Sequence, residues 1–395
     1  MNFIFISPNF PRIYSHFVKA LHDKGVNVLG IGDEPYDSLN DELKENLTEY
    51  CYVSNMNNIG WMINTVQYLK DKYGEIDYIE SNNEYWMHSD ATLREWFNIK
   101  NGYTTKDLEQ YQSKSLMKQF FQNAGVKTSR YTLVSNIENA KKFIEKVGYP
   151  VFAKPDSGVG AAETYKISNE NDLLNFFESY NNHEQYIMEE FIDGTIVSFD
   201  GIANNNSEVV IAFKETFPTP IAEVVNKNLD MFYYAESKIP KTYFDMGQKI
   251  VKAFNIKSRC FHIELFKLNI EKPGLGKKGE IVALEANLRS PGGETPNLLN
   301  LVSKFNYFET YASMIVENIS PLKNETNLIS FSINRKTNKK YTHNSAEITK
   351  KYEANLKHHG FYPQSYRDAL GDEFFMFVFE NKKKEINDFL KYVLD

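Results

Sequence analysis

The chain begins with an unbroken apolar, β-prone run, NFIFI at 2–6, which predicts a buried strand. A helical pattern follows, with Ile13, Phe17, Val18 and Leu21 on one face and Gly25 as its stop. Next come a second strand at 26–31, a turn-rich stretch (GDEPYDSLND), a short strand near 50–53, a helix over about 58–73 and a strand at 76–80 (IDYIE). Strand–helix–strand alternation of this kind predicts a parallel, doubly wound α/β sheet. The first strand–helix turn reads SPNFPR and lacks GxGxxG, so nothing in it favours a dinucleotide.

The polar segment 98–112 reads as a connector, and a helix follows at about 113–124, ended by Gly125. Residues 131–155 give strand, helix (136–147) and strand, then a small-residue loop at 156–161. Strands are expected near 162–167, 185–191, 195–203 and 208–216, then a helix at about 241–254. Two strands at 259–268 and 280–286 flank the loop EKPGLGKKG, and a helix near 305–317 closes this part. The tail, 321–395, shows strand patterns at 328–333 and 373–379 and an amphipathic helix at 382–394. There is no internal repeat and no low-complexity segment.

Composition narrows the field. The 395 residues are 42% hydrophobic and 25% charged, an ordinary globular balance with room for two or three domains. A net charge of -7 offers no electrostatic footing for nucleic acid or anionic lipid. No apolar run reaches the ~20 residues of a membrane helix. The N-terminal MNFIFISPNFPR lacks a basic start and a small-residue cleavage site, and reads as a strand rather than a signal peptide. Two isolated cysteines, Cys51 and Cys260, exclude a disulfide framework and fit a reducing cytoplasm. Neither has metal-ligand spacing.

Three places carry chemistry. In YPVFAKPDSGVGA a strand delivers Lys154 to a loop containing Ser157, Gly158, Gly160 and Ala161. Small residues let backbone N–H groups approach phosphate oxygens and the lysine adds charge, although a plain hairpin loop with a surface lysine has the same pattern. QYIMEEFIDG ends a β-rich run in paired acids, either an edge that presents backbone groups to a purine ring or an ordinary strand end. The strongest feature is the pair CFHIELF and ALEANLRSPGG. Each sets a glutamate, Glu264 or Glu285, inside an apolar strand, where a lone carboxylate is costly. A hairpin would bring the two side by side, with Asn287 on the same face as Glu285. Two carboxylates and an amide oxygen suit Mg²⁺ (or Mn²⁺), with nucleotide phosphates completing the shell, and Arg289 could grip a transferring phosphoryl group. In the competing arrangement Glu264 faces solvent and Arg289 is its ion-pair partner.

The order of these pieces over residues 1 to about 320 resembles the ATP-grasp superfamily of carboxylate–amine ligases. LEANLRSPGG is similar to the family's E-x-N-x-R-x-G-G signature. The resemblance implies a pre-ATP-grasp α/β domain at 1–105, an ATP-grasp domain of two α+β subdomains at 106–320 (lid about 128–200), and a small C-terminal α+β region at 321–395. It implies that Lys114, in QSKSLMKQF, and Lys154 meet the nucleotide phosphates, and that Ser157 to Ala161 close over them. Glu189, Glu190, Phe191 and Ile192 would form the hinge against adenine, partly through backbone groups. Glu264, Glu285 and Asn287 would hold Mg²⁺, and Arg289 would lie near the γ-phosphate. The family often has glutamate two residues after the hinge glycine for ribose; here that residue is Ile196, leaving Asp193 or Asp200 as substitutes.

The chemistry implied is activation of a small-molecule carboxylate by ATP to an acyl phosphate, then capture by an amine, the substrates being amino-acid or peptide-like. Transfer to another acceptor, such as a thiol, a bicarbonate-derived species or a protein chain, and a non-catalytic nucleotide-binding regulator are the alternatives. A homodimer is expected by resemblance alone. For substrate contacts, strand ends nominate Glu84, with Asn83; Glu84 equally suits a helix first turn. His262 shares a strand face with Glu264 and either faces the site or makes an ordinary buried hydrogen bond. Arg259 is a candidate for a substrate carboxylate or a surface ion pair. His358, His359 and the KKK run at 382–384 read as surface features.

Overall fold

A computed structural model describes residues 1–157, 164–180, 184–219, 223–224, 227–362, 364, 367 and 370–394. Among them the strands form three sheets. The first joins β1 (Asn2–Ile6), β2 (Asn27–Gly32), β3 (Glu49–Tyr52) and β4 (Tyr78–Glu80) in the order β3-β2-β1-β4, all parallel. The unbroken apolar run of β1 has its reason here. Phe3 and Phe5 pack into one core with Phe17 and Leu21, and Ile4 and Ile6 into another with Val66 and Leu69. Both faces of the sheet are covered by helices, chiefly Ser15–Asp23 on one side and Ile59–Tyr73 on the other.

The second sheet is antiparallel: β5 (Tyr131–Leu133), β6 (Val151–Pro155), β7 (Tyr165–Ile167) and β8 (Tyr186–Glu190), ordered β5-β8-β6-β7. Helices Ile137–Val147 and Glu170–Ser179 supply Phe143, Ile144, Leu173 and Phe176 to its core.

The third sheet has eight strands: β9 (Gly194–Ala203), β10 (Val209–Phe217), β11 (Met231–Glu236), β12 (Arg259–Leu268), β13 (Ile281–Asn287), β14 (Leu328–Arg335), β15 (Leu356–Phe361) and β16 (Glu373–Glu380). Their order is β13-β12-β9-β10-β11-β14-β16-β15, antiparallel throughout. The tail expected as a separate region from residue 321 therefore extends this sheet by β14, β16 and β15. Helix Lys383–Leu394 covers that extension through Ile386, Phe389 and Val393. Strands β11 and β15 and helices Met87–Trp96 and Glu170–Ser179 fall outside the expected elements. Edge strand β15, LKHHGF, has too little apolar alternation to stand out, and Glu170–Ser179 is announced mainly by its Asn169 cap. No helix of the described residues is long and apolar enough to cross a membrane.

Two contacts lock the parallel domain to the large sheet. Phe17 packs edge-on to Phe308 and Tyr311 of helix Tyr307–Glu317, with ring centroids 4.9 and 5.0 Å apart. At the carboxyl end of β4, buried Glu80 pairs with buried Arg259 of β12, and Arg94 lies 3.5 Å away. The Arg259 guanidinium lies over the Tyr103 ring at 4.6 Å and donates to the Leu288 carbonyl at 3.2 Å. Removing one partner of such a pair strands a buried charge. Arg259→Ala is expected to cost about 3–5 kcal/mol, read from urea unfolding, and the double variant Arg259→Met, Glu80→Gln should recover much of it. A loss below ~1 kcal/mol for Arg259→Ala would show that the pair is solvated and weak.

Candidate functional site

The site is built on the antiparallel register of β12 and β13. Glu264 stands opposite Glu285 and His262 opposite Asn287, so four polar side chains share one face of two apolar strands. The ladder shifts register directly after Glu264. The sheet buries this face: Asn287 is 5% and His262 6% exposed.

The carboxylates respond to each other. Burial and then the charge of Glu264 push the Glu285 carboxyl up, with Glu84 adding to the effect and Lys154 and Lys114 opposing it. Glu264 moves the other way: burial would raise it, but His262, Arg289 and Lys154 hold it down. One carboxylate is thus held down by its cations, while the other is raised despite Lys154 and Lys114. Two carboxylates and the Asn287 amide form a hard oxygen set, so the donor chemistry fits Mg²⁺ or Mn²⁺.

Cations reach this face from separate segments. Lys114 opens helix Lys114–Asn123, which Ser113 caps by accepting from Leu116 N–H. Asp156, just beyond β6, binds the same turn: it accepts from Ser113 Oγ at 2.7 Å, Ser115 N–H at 2.8 Å and Ser115 Oγ at 2.9 Å. Its carbonyl accepts from Lys114 N–H at 2.8 Å. This carboxylate at a helix start holds Lys114 close to the end of the Lys154 strand. Burial lowers the Lys114 ammonium, with Glu285 opposing and Lys154 reinforcing the shift.

Lys154 is set by Glu189. Its Nζ lies 2.6 Å from Glu189 Oε2, and the other oxygen pairs with buried Lys118 and accepts from Ser129 Oγ at 2.8 Å. Burial would lower Lys154, yet Glu189, Glu285 and Glu264 raise it. Next along the strand, Glu190 points oppositely and meets Arg130, with Nε at 3.0 Å and Nη2 at 2.5 Å, and Lys272 at 3.3 Å. Both glutamates are therefore engaged in ion pairs about the β5–β8 sheet, while Ile192 is buried with Leu268, Leu275 and Val282. Phe191 N–H donates to Pro150 O at 3.3 Å, and its carbonyl accepts from Lys272 at 2.6 Å. Ser157 bridges to Ser113. Gly158, Gly160 and Ala161 lie outside the described residues.

Arg289 follows β13 and meets Glu84 of the parallel domain, Nε to Oε2 at 3.3 Å, while its Nη1 donates to the Ser290 carbonyl at 3.1 Å. Glu84 also sits in the first turn of the short helix Glu84–Trp86, as the helix-start expectation had it.

Three expectations need correction. Arg259 is 1% exposed and committed to Glu80, so it has no face for a substrate carboxylate. His262 has both ring nitrogens engaged, Nδ1 with Asp200 at 2.5 Å and Nε2 with Glu264 at 3.2 Å. Burial would lower it, but Asp200 and Glu264 raise it to about 10, so it acts on Glu264 rather than on a substrate. Asp200 is fully buried against Ser198 and His262 and cannot replace the missing ribose glutamate, while the Asp193 carboxylate accepts from Asn269 Nδ2 at 3.0 Å. Lys118, Asp156 and Glu215 escaped the sequence reading. Their signals were modest: a second lysine one turn after Lys114, an acid directly after Lys-Pro, and an acid at an inward position of an apolar strand.

Comparisons with known proteins converge on one fold. Residues 112–221 match the phosphoribosylglycinamide synthetase ATP-grasp (A) domain family. A phosphoribosylamine–glycine ligase of Fusobacterium nucleatum is 28% identical over 230 residues, 53% of this chain and 51% of that one. The match thus spans about half the length of that relative. An L-amino acid ligase of Bacillus licheniformis superposes with a TM-score of 0.70 at 13% identity, covering 99% of this chain and 96% of that one. N5-carboxyaminoimidazole synthetase of Staphylococcus aureus, solved with ADP, gives 0.70 at 16% identity, covering 99% and 96%. Residues 112–221 are thus similar to an ATP-grasp domain, and the chain shares the fold of these solved structures along its length.

The Glu189 cluster makes an acid-stability prediction. Lys118 and Lys154 outweigh burial and depress the Glu189 carboxyl below its unfolded value of 4.5. Its contribution is complete above that pH and is lost as the pH falls through and below it. Glu189→Gln strands two buried ammonium groups and should cost about 3–5 kcal/mol at pH 7. The variant should also show a flatter urea-midpoint profile below pH 4.5 than the parent. Parallel profiles would remove Glu189 from the acid response.

Proposed function

We propose that this chain is an ATP-dependent carbon–nitrogen ligase that activates a small-molecule carboxylate as an acyl phosphate and passes it to an amine. The observation that carries this reading is the Glu264–Glu285 pair on one sheet face with Lys114, Lys154 and Arg289 around it. The ATP-grasp fold adds support, as do relatives named as carbon–nitrogen ligases and a neighbour solved with ADP.

Each residue then has a task. Lys114 and Lys154 neutralise the nucleotide phosphates, and the Glu189–Lys118 pair keeps Lys154 aimed at them. Glu264, Glu285 and Asn287 would hold Mg²⁺, which when bound supplies neutralisation of the transferring phosphoryl charge. The substrate carboxylate attacks the γ-phosphorus, the β–γ bridging P–O bond breaks and ADP leaves. Arg289 is released from Glu84 to balance charge on the acyl phosphate, and the freed Glu84 carboxylate holds the incoming ammonium and takes a proton from it, leaving the free amine. The amine attacks the acyl carbon, its C–O bond to phosphate breaks, and an amide and inorganic phosphate leave. A lid built from the β5–β8 sheet would exclude water from the acyl phosphate.

Ile196 favours a second reading, a nucleotide-binding regulator without turnover, because no acid occupies the usual ribose position. ADP and phosphate release from Mg·ATP, screened against pooled carboxylates with and without pooled amines, separates the two. Release that needs both pools, with an amide found by mass spectrometry, is the expected result. Tight Mg·ATP binding with no release from any pool would replace the ligase with the regulator. Lys154→Ala should weaken ATP binding about 10–100-fold by calorimetry, the worth of a charge-assisted contact. Unchanged affinity would move the phosphate site elsewhere.

A further inference from the structure

Behind the Glu264–Glu285 pair the same sheet face carries a second group that the proposed reaction does not use. Asp200 of β9 stands opposite His262 of β12, and Glu215 reaches them from β10. One ligand atom from each of Asp200, Glu215 and His262 lies within 4.8 Å of the others. All three are buried, and Asp200 and Glu215 are both 0% exposed. Neither Glu215 carboxylate oxygen has a hydrogen-bond partner among the described residues. Burial and then the charge of neighbouring Asp200 push the Glu215 carboxyl well up, so without an ion the two acids would share a proton.

The surroundings are those of ligands held for a metal. His262 directs Nδ1 at the cluster and engages Glu264 through Nε2 at 3.2 Å, which fixes the ring as metal-bound imidazoles are usually fixed. Ser198 Oγ donates to Asp200 Oδ2 and accepts from Glu215 N–H at 3.1 Å, orienting both acids. Charge points the same way. Three carboxylates, Asp200, Glu215 and Glu264, surround one imidazole, and an ion would displace the proton on its Nδ1. A divalent ion would also take the place of the shared proton and balance the charges of Asp200 and Glu215.

We propose that Asp200, Glu215 and His262 Nδ1 form a structural site for one divalent transition ion of the zinc–manganese class, separate from the nucleotide-linked metal. One imidazole and two carboxylates suit such borderline ions better than Mg²⁺, which favours oxygen alone. The bound ion steadies Glu264 through His262, so it supports the nucleotide site from behind.

The test uses the full chain without nucleotide. Protein is stripped with a chelator, titrated with Co²⁺, Zn²⁺ or Mn²⁺ and assayed by elemental analysis, with Co²⁺ also followed by visible absorption. The parent is expected to take up one equivalent and to unfold at higher temperature when loaded. Glu285→Gln, which alters only the nucleotide-side ligands, should keep that equivalent. Glu215→Gln and Asp200→Asn should lose it while retaining the parent's circular dichroism. If a variant does not fold, the parent saturated with Mg·ATP serves instead, and it should still take up one Co²⁺. No uptake by the parent would overturn the proposal and leave Glu215 as a neutral acid sharing a proton with Asp200. Uptake lost in Glu285→Gln, or blocked by Mg·ATP, would assign the ion to the nucleotide site and overturn it equally. A failed ligase assay has no bearing on either outcome.

Discussion

The structure turns on repulsion between two carboxylates that the β12–β13 register sets face to face. Glu264 and Glu285 cannot separate without breaking the ladder, and the sheet that aligns them also removes water. Like charges in such a place raise the protonation of one member, and Glu285 carries that cost. The protein answers with cations from different segments: Lys114 from a helix start, Lys154 from the lid, Arg289 from the loop after β13 and His262 from the neighbouring strand position. A site that holds its own charge so imperfectly is poised for a divalent ion and a polyanion together.

The same economy orders the lid and the domain interface. Lys154 would sit loosely at a strand end were Glu189 not shared between it and Lys118. Glu190, one residue on, ties the opposite side of the strand to Arg130 and Lys272, so adjacent acids brace the β5–β8 sheet in two directions. Arg289 reaches across to Glu84, and Arg259 anchors Glu80 four residues earlier in the chain. Two ion pairs thus join the end of β4 to the large sheet. One is buried and fixed; the other is more exposed and open to exchange.

Much of this was legible in the sequence because the signals are local. Runs of apolar residues marked most strands, and two glutamates inside such runs marked the carboxylate pair before its register was visible. What escaped depends on long-range pairing. Arg259 reads as a surface cation until β4 brings Glu80 against it, and the acids of β9 and β10 mean little until three strands align. The tail looked separate because its strands are far in sequence from the sheet they extend, with β11 bridging the two parts. Ile196 remains a departure from the pattern the sequence otherwise resembles.

The central claim is that the facing carboxylates are made to be bridged by a divalent ion carried with a nucleotide. Electron paramagnetic resonance of Mn²⁺ with ATP, in parent protein and in Glu264→Gln, tests it directly. The account predicts a spectrum distinct from free Mn·ATP in the parent, with ATP affinity rising when Mn²⁺ is added. Both effects should be lost in the variant. ATP affinity independent of Mn²⁺, or an identical spectrum after Glu264→Gln, would contradict it.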